Sequence, residues 1–337
     1  MKILFIGDPH IKQDNNEEVD ILIHEIDRIC STEHFDSIII GGDIMHYHER
    51  LFTQALNKSL EFIKKLSTIA FTYVMVGNHD YINNSQFLTD NHWMNALKYW
   101  ENVKIVDQVI EEPFFMICPY VSPGRFIEAL ETRTKKWQDK KIIFAHQEFK
   151  GCKMGSIVSL EGDEWSDEYP HIISGHIHDN QRISNIYYPG TPLQHAFGDS
   201  DTRVLCSIEC KDSLMECKDS LIIKDIPLNV PRKRIISSSI KDIKDIKNSK
   251  ELNHNTKIKL DASPEEFKLF KDTIEYKELI EKGIKIQLQK KKEKIENVEA
   301  DFSNFAQLLD TIVKNDEPLV KKLYDEIILN KIFIDIL

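Results

Sequence analysis

The sequence has few residues that break or stiffen a chain, with 12 Gly and 11 Pro among its 337 residues. This scarcity excludes the collagen-like and low-complexity classes of protein. Hydrophobic residues make up 41% of the sequence and charged residues 29%, so the chain is also too apolar to be wholly disordered. A chain of this length can bury a sizeable core without disulfide or metal staples, and we expect about two domains of globular type.

A long apolar segment is missing from the start of the sequence. The apolar run in MKILFIGDPH ends at Gly7, which makes it too short for a signal peptide or a transmembrane helix. We therefore expect an intracellular protein with no membrane association. Its location could be the cytoplasm, a nucleoid, a nucleus or a site of viral replication, and the sequence does not favour one of these.

Cysteine is sparse, and its spacing contains no CxxC pair. In an intracellular setting we expect reduced thiols. Cys206, Cys210 and Cys217 form a C-x3-C-x6-C pattern, for which a thiolate metal site and buried thiols are the two alternatives. The spacing favours buried thiols.

Continuous apolar runs in the first half of the chain predict strands that are covered on both faces of a sheet. Helical periodicity in the stretches between them predicts βαβ units. From about residue 170 the pattern becomes β-rich, and the runs up to residue 230 predict a second sheet packed on the first. The predicted strands of the first sheet are 2–6, 37–41, 71–76 and 141–145, and the predicted helices are 17–31, 51–68, 85–100 and 124–138.

The charge of the chain is unevenly distributed. The formal net charge of −11 argues at first against a nucleic-acid partner. However, residues 231–300 carry more Lys and Arg than Asp and Glu, whereas residues 1–230 are acidic. The net charge of the whole chain therefore does not exclude nucleic acid.

The basic segment predicts a small β-α-β-α-β domain at 231–290. Its elements are strand 232–237, helix 238–248, strand 256–261, helix 263–280 and strand 283–289, with Ser263 as a helix N-cap. Residues 291–300 are a polar linker, in which the lysines from Lys290 to Lys294 are interpreted as solvated. Residues 301–337 predict a helical pair that either docks on a partner or packs back on its own domain. The predicted fold class is α/β of the α+β sandwich type, with a two-sheet core at 1–230 flanked by helices.

Polar clusters follow the predicted buried strands. The carboxyl ends of such strands converge in one crevice, where α/β folds place their ligands. Carboxylate and amide oxygens alternate with imidazoles in these clusters, a set that suits Mn, Fe or Zn better than Ca. Seven ligands with one shared carboxylate could hold two ions and support phosphoester hydrolysis. The nine residues of these clusters, from which the seven ligands come, are Asp8, His10, Asp43, Asn78, His79, Asp80, His146, His176 and His178.

In order and spacing, these clusters resemble the signature blocks of the calcineurin-like metallophosphoesterase superfamily. The blocks are Asp8-x-His10, Gly42-Asp43, Gly77-Asn78-His79-Asp80, His146 and Gly175-His176-x-His178. The resemblance implies that one metal ion is held by Asp8, His10, Asp43 and His178, and a second by Asp43, Asn78, His146 and His176. It further implies that His79 is the general acid, and that Asp80 fixes the His79 ring and raises its pKa.

Further motifs resemble one branch of that superfamily, the SbcD-type DNA-repair nucleases that are called meiotic recombination eleven in eukaryotes and archaea. His46 lies three residues after Asp43, where these nucleases carry a histidine that helps to place the DNA strand. The blocks 188–192 and 197–199 also look like theirs, and the segment 231–289 resembles their capping domain. A departure from the pattern is Pro9, which removes one backbone N–H beside the site.

This likeness implies a homodimeric DNA nuclease that uses two Mn ions, for which Mg is the alternative. It would act as a 3′-to-5′ exonuclease on duplex ends and as an endonuclease on single strands and hairpins, in double-strand-break repair and recombination. Its partner would be an SbcC-type coiled-coil ABC ATPase, which would bind the helical pair at 301–337. One alternative is another phosphoesterase of the superfamily, such as a nucleotide phosphodiesterase. A non-catalytic scaffold is the other, although the complete ligand set argues against it.

The remaining histidines and tryptophans carry no motif of their own. His195 is the exception, because it lies between the two SbcD-like blocks, and proximity makes it a candidate for substrate binding. Trp93 and Trp100 are interpreted as core residues or part of a dimer face. The histidines interpreted as solvated or as satisfied within the core are His24, His34, His48, His92, His171 and His254.

Overall fold

The computed structural model describes residues 1–210, 221–243, 246 and 252–289. Two six-stranded sheets form the larger part of the described chain. In spatial order, the strands of the first sheet are β14 (Leu221–Pro227), β13 (Val204–Cys210), β1 (Lys2–Ile6), β2 (Ser37–Ile40), β3 (Phe71–Met75) and β4 (Val103–Val106). Those of the second are β11 (Gln181–Ile183), β12 (Ile186–Tyr188), β10 (His171–Gly175), β7 (Ile142–His146), β6 (Phe115–Cys118) and β5 (Ile110–Glu111).

The central strands of both sheets are parallel and buried on both faces. Strands β1 to β4 pair in parallel, as do β6, β7, β10 and β12. All residues of β2 and β7 are buried, as their continuous apolar sequences predict. Between the sheets, Phe5 stacks on Phe144 with ring centroids 5.8 Å apart. The two sheets therefore form a sandwich, as the fold class predicted.

Helices cover the outer faces of the sandwich. Helices α1 (Asn16–Thr32) and α2 (Thr53–Ile69) bury Leu22, Ile26 and Phe62 in the same apolar cluster as the outer face of the first sheet. Helix α3 (Phe126–Arg133) contributes to the cluster on the second sheet. Short 3-10 helices lie at Trp93–Tyr99 and Trp137–Asp139, and a two-stranded ribbon joins β8 (Lys153–Met154) to β9 (Ile157–Val158). None of the described helices combines the length and the apolar character that crossing a membrane requires.

The sheet membership of two predicted regions was wrong. Strand β7 belongs to the second sheet, where it pairs with β6 and β10. Strands β13 and β14 belong to the first sheet, because β13 pairs antiparallel with β1. An apolar run predicts that a strand is buried but does not identify its neighbours, so periodicity could not assign either region to its sheet.

Two of the predicted helices are much shorter than their periodicity indicated. Of 85–100, only Trp93–Tyr99 is helical, because the preceding residues form turns in which Asn83 Oδ1 accepts from the Ser85 N–H and the Gln86 amide. Of 124–138, the helix ends at Arg133, and Thr134 is extended. In both stretches the regularly spaced apolar residues pack against the core, although the backbone does not form one continuous helix.

A third sheet follows the sandwich. It is entirely parallel and consists of β15 (Arg234–Ser239), β16 (Thr256–Asp261) and β17 (Lys285–Gln289). The single helix predicted at 263–280 is two helices, α4 (Pro264–Lys271) and α5 (Ile274–Glu281). Thr273 caps α5 by accepting a hydrogen bond from the Tyr276 N–H, which restarts the helix after Asp272. Ser263 caps α4 in a capping box, as predicted.

Several predicted segments lie wholly or partly outside the described residues. Part of the predicted helix 238–248 does, namely residues 244, 245, 247 and 248, together with Cys217, the linker 291–300 and the helical pair 301–337. The predicted start of that helix was wrong, because Ser238 and Ser239 are the last residues of β15 and a turn follows them.

Candidate metal centre

Loops at one edge of the sandwich carry the predicted ligands. Asp8 and His10 follow β1, Asp43 follows β2, and Asn78 to Asp80 follow β3. From the second sheet, His146 is the last residue of β7, and His176 and His178 follow β10. Because the parallel strands of both sheets end at this edge, the structure brings all the predicted ligands together in one crevice.

The backbone of these loops is constrained in ways that few residue types allow. His10, Asp43 and His176 have positive φ angles of 43°, 48° and 77°. Non-glycine residues seldom adopt this left-handed region, and such strain concentrates at functional sites. At Gly42, where φ is 103°, a Cβ atom would lie 2.5 Å from His146 Nδ1, so the close approach of the two sheets requires glycine there.

One group of potential ligand atoms consists of Asp8, His10 and His178, whose atoms all lie within 4.8 Å of one another. The Nε2 atoms of His10 and His178 are 3.0 Å apart. Asp8 Oδ1 is buried without a hydrogen-bond partner among the residues that the structure describes. Burial raises the pKa of Asp8 to about 8, whereas burial lowers the pKa of both imidazoles.

A second group consists of Asp43, His146 and His176. Asn78 Oδ1 lies 3.0 Å from His146 Nε2 and 2.9 Å from His176 Nδ1. His146 Nδ1 lies 2.6 Å from the Gly41 carbonyl oxygen, so this nitrogen is the donor and Nε2 is left to face the group. Burial opposes a charge on His146, but Asp43 and Asp8 outweigh it and raise the pKa of His146 to about 9.

Asp43 lies between the two groups. Its Oδ2 atom is 3.5 Å from His10 Nε2, and its Oδ1 atom is 3.4 Å from His146 Nε2. A carboxylate with one oxygen toward each group could bridge two ions. The unpaired Asp8 oxygen and the converging imidazole nitrogens fit divalent cations, because each of these atoms can present a lone pair toward the same small space once Asp8 and His146 have lost their protons.

His79 forms a third group of potential ligand atoms with His10 and Asp43, and its ring is oriented by the backbone. Its Nδ1 atom lies 2.5 Å from the His46 carbonyl oxygen, and its Nε2 atom lies 3.9 Å from Asp43 Oδ2. Nδ1 therefore donates to the carbonyl group, and Nε2 is presented to the crevice. His46 is also close, with its Nδ1 atom 3.4 Å from His10 Nδ1, and burial lowers the pKa of His46 to about 4.

Asp80 does not have the role that the resemblance implied. Its carboxylate accepts hydrogen bonds from the backbone N–H groups of Ile44 and Gly77, and from the Trp93 indole at 3.0 Å. Asp80 thus links the loop after β2 to the loop after β3. The prediction that Asp80 fixes the His79 ring is wrong, because the His46 carbonyl group accepts the hydrogen bond that orients this ring. Burial and the nearby Asp43 raise the pKa of Asp80 to about 6.

Two residues near the centre were missed by the sequence interpretation. Trp93, interpreted as core or dimer face, donates to Asp80, and His48, interpreted as solvated or satisfied in the core, stacks on His79 with ring centroids 4.1 Å apart. The position of His48 two residues after His46 could have indicated that it lies near the site. No feature of the sequence indicated this for Trp93. By contrast, the interpretation of His92 as satisfied is confirmed, since it lies 3.1 Å from Asp107 and accepts from the Met94 N–H.

His195 lies against the first group of ligands, as its position in the sequence predicted. Its ring centroid is 4.8 Å from that of His10 and 5.6 Å from that of His178. Both of its ring nitrogens are buried without a hydrogen-bond partner in the described part of the chain. Burial holds the pKa of His195 well below its ordinary value, so the ring is neutral.

A large groove begins at His195 and runs along the third sheet. Its volume is about 1110 Å³, and its lining includes five lysines and the acids Asp14, Glu17 and Glu18. In β16, Ile258 and Leu260 are buried against α4 and α5, so the alternating Lys257 and Lys259 lie on the opposite face, toward the sandwich. We call this cavity the lysine groove and define it by Lys12, Lys233, Lys257, Lys259 and Lys285.

The third sheet is held against the sandwich by polar contacts beside the lysine groove. The Lys233 N–H donates to Gln194 Oε1 at 2.6 Å, and His254 Nε2 lies 3.3 Å from Glu18 Oε1. Lys285 lies over the Phe197 ring at 5.5 Å from its centroid. These contacts place the basic face next to the candidate metal centre.

Comparison with known proteins identifies similar sequences. Residues 1–180 match the sequence profile of the family described as calcineurin-like phosphoesterase. The chain is 47% identical over 277 residues to "Putative phosphoesterase 244L" of Invertebrate iridescent virus 6, covering 80% of this chain and 97% of that protein. It is 41% identical over 298 residues to "Putative phosphoesterase 078R" of Invertebrate iridescent virus 3, covering 86% and 84%. The crystal structure of TT1561 from Thermus thermophilus aligns with a TM-score of 0.39 and 12% identity, covering 66% of this chain and 98% of that one.

Proposed function

The chain belongs to the calcineurin-like phosphoesterase family, and from this premise we propose that its substrate is DNA and its activity that of a manganese-dependent nuclease. Its family and its clustered Asp and His side chains already indicate a metal-binding phosphoesterase. The proposal adds the substrate class, the metal and the biological role in double-strand-break processing. Its sequence support is the resemblance of His46 and of the blocks 188–192 and 197–199 to SbcD-type nucleases.

The lysine groove is the structural observation that best supports DNA as the substrate. Five lysines border a cavity that reaches His195, whose ring contacts the candidate ligands His10 and His178. Lys12 and Lys233 lie 3.7 Å and 3.8 Å from the groove acids Asp14 and Glu18. Lys257, Lys259 and Lys285 of the third sheet then leave an excess of positive charge beside the hydrolytic centre, which suits a chain of phosphates better than a single phosphate monoester. At about 1110 Å³, the groove also exceeds the usual size of a small-molecule pocket.

In the proposed reaction, the protein side chains position the scissile phosphodiester and move one proton. Asp8, His10, Asp43 and His178 would hold one ion, and Asp43, Asn78, His146 and His176 the other. Such a pair of ions supplies a water of lowered pKa and neutralises charge on the phosphate. The His46 carbonyl fixes the His79 ring, and His79 Nε2 donates a proton to the departing oxygen. His46 and His195 are positioned to contact the substrate beside the first ligand group.

A single comparative assay tests the proposed substrate class. With Mn²⁺ present, one preparation is given a linear duplex, a single-stranded circle and bis-p-nitrophenyl phosphate. We expect cleavage of both DNA substrates, with a higher kcat/KM than for the small diester. A preparation that hydrolyses only the small diester would refute the proposal and would indicate a small-molecule phosphodiesterase.

A partner belongs to the same proposal. By the resemblance, an SbcC-type ABC ATPase would bind residues 301–337, a segment outside the described residues. Deleting 301–337 should abolish co-purification with a co-expressed ATPase of this type, while the nuclease activity of the isolated protein remains. Retention of the complex after this deletion would overturn the proposed role of the segment.

A further inference from the structure

A second cavity opens beside His79. Its volume is about 370 Å³, and three of its lining side chains are large, apolar and exposed. The exposed fractions are 42% for Tyr47, 50% for Leu51 and 45% for Ile82. We call this cavity the tyrosine pocket and define it by Tyr47, Leu51, His79, Ile82, Asp90 and Asn91.

The tyrosine pocket and the lysine groove flank the same buried imidazole. The His10 ring contacts His79, which lines the pocket, with centroids 4.9 Å apart. It also contacts His195, which lines the groove, with centroids 4.8 Å apart. A substrate whose phosphate lies at the metal centre can therefore extend into both cavities.

The two cavities differ in charge. The described lining of the groove has five lysines against the three acids Asp14, Glu17 and Glu18, whereas that of the tyrosine pocket includes no Lys or Arg and has the exposed acids Glu49 and Asp90 at its rim. A phosphate group would therefore be disfavoured in the pocket, and an uncharged, flat group would be favoured.

Tyr47 is held in a way that leaves ring surface available. Its ring makes edge contacts with Phe52 at 5.3 Å and with His46 at 4.9 Å between centroids. These contacts fix the ring and leave 42% of the residue exposed. A fixed, exposed aromatic ring next to a catalytic centre is a stacking platform for a base.

We infer that the tyrosine pocket is a binding site for one nucleobase, stacked on Tyr47. The base belongs to the nucleotide that flanks the scissile phosphate on the side away from the lysine groove. The pocket lies near the lower limit of small-ligand sites, so it admits a single nucleoside and not a helix. This inference rests on the proposed function. It adds a contact with the base, whereas the lysine groove would contact the phosphates.

The test compares short duplexes that differ in one base. Thymidine or an abasic residue is placed at each of the two nucleotides that flank the first diester to be cleaved, and kcat/KM is measured with Mn²⁺. We expect the abasic residue at one of these positions to lower kcat/KM by about five- to 150-fold, the range of one base-aromatic stack. Tyr47→Ala should remove this difference by slowing the thymidine substrate, and Tyr47→Phe should retain it.

The control is Tyr99→Ala, which removes a tyrosine that is 91% exposed and does not line the pocket. Thermal unfolding midpoints establish that each variant is folded. A base preference that persists in Tyr47→Ala, or that the unaltered protein lacks, would overturn the inference and leave the proposed nuclease function intact. Hydrolysis of bis-p-nitrophenyl phosphate without cleavage of any duplex would instead refute the proposed function, and the inference with it.

Discussion

The Nε2 atoms of His10 and His178 lie 3.0 Å apart in the crevice where the two sheets end. Burial lowers the pKa of both rings, so each imidazole is neutral and can direct a lone pair toward the other. Two neutral ring nitrogens at this separation, with a buried carboxylate oxygen of Asp8 beside them, form a site for a cation.

Binding of Mn²⁺ should become tighter as the pH rises toward about 8. Burial raises the pKa of Asp8 to about 8, so below that pH the cation must displace a proton from this carboxyl group. Calorimetry in buffers of different ionisation enthalpy should detect a proton released on binding, with more released at about pH 6 than at about pH 8.5.

The matched variants for this measurement are Asp8→Asn and Asp139→Asn. The first should weaken binding and remove part of the pH dependence, while the second changes an exposed carboxylate away from the centre and should change neither. An affinity that is constant between about pH 6 and pH 8, with no proton release, would contradict the assignment of Asp8 as a ligand.

Replacing His79 with Asn should separate metal binding from catalysis. His79 also forms a group of potential ligand atoms with His10 and Asp43, but it is not among the proposed ligands, so Mn²⁺ affinity should be retained. Loss of the proton donor should lower kcat by about 100- to 10,000-fold. Single-turnover cleavage and calorimetry measure the two quantities, with His34→Asn as a control at an exposed histidine. A kcat within about twofold of the original protein would remove His79 from its proposed role.

Trp93→Phe should destabilise the fold in a pH-dependent manner. The indole N–H donates to Asp80, whose pKa is about 6, and its removal leaves the buried carboxylate with one donor fewer. We expect a loss of about 1–3 kcal/mol in the free energy of unfolding when Asp80 is ionised. Because the donor lowers the pKa of Asp80 in the folded protein, its removal should raise that pKa by about 1–2 units. The loss should therefore be complete above about pH 8, and it should shrink as the pH falls toward about 6, where Asp80 becomes protonated in the original protein as well.

Urea denaturation at several pH values measures this effect. Trp100→Phe is the control, since it makes the same change in size next to the same 3-10 helix, where the Trp100 ring lies under Lys64. If the two variants lose equal stability at every pH, the Trp93 contact with Asp80 has no energetic role.

Lysines of the third sheet should determine how DNA binding responds to salt. Each cation that neutralises a phosphate of duplex DNA contributes about 0.9 to the slope of log K against log salt. Replacing Lys257, Lys259 and Lys285 with Ala should therefore lower the magnitude of this slope by about 2–3 units, as measured by fluorescence anisotropy with EDTA present.

The control for this prediction replaces three exposed lysines of α4 and α5, none of which borders the lysine groove. These are Lys268, Lys271 and Lys277. Equal slopes for the two triple variants would mean that binding depends on total charge and not on the groove.

The sequence was most informative where a pattern of residues is compatible with only one kind of structure. Continuous apolar runs predicted β1, β2, β3 and β7 to within about one residue, because strands buried on both faces tolerate little else. The polar clusters at their carboxyl ends predicted which side chains meet, because parallel strands of both sheets end at the same edge.

The interpretation failed where a role depends on contacts between distant residues. The pairing of β13 with β1 leaves no periodic signal, and neither does the hydrogen bond from Trp93 to Asp80. The resemblance led to a wrong expectation for Asp80, because sequence adjacency to His79 did not show that a backbone carbonyl, that of His46, fixes the ring. The tyrosine pocket was also missed, since Tyr47, Leu51 and Ile82 belong to loops whose approach only the fold defines.

The position of β1 has a consequence for how the chain folds. This first strand is central in its sheet, and the N-terminal ammonium group donates to the carbonyl oxygen of Cys210, 209 residues later. During synthesis one edge of β1 therefore stays unpaired until β13 has emerged, and an unpaired edge of this kind invites aggregation. Contacts across so long a loop also form slowly. A nascent chain that stops before β13 (Val204–Cys210) would leave this sheet open, so the sandwich cannot close until β13 has been synthesised.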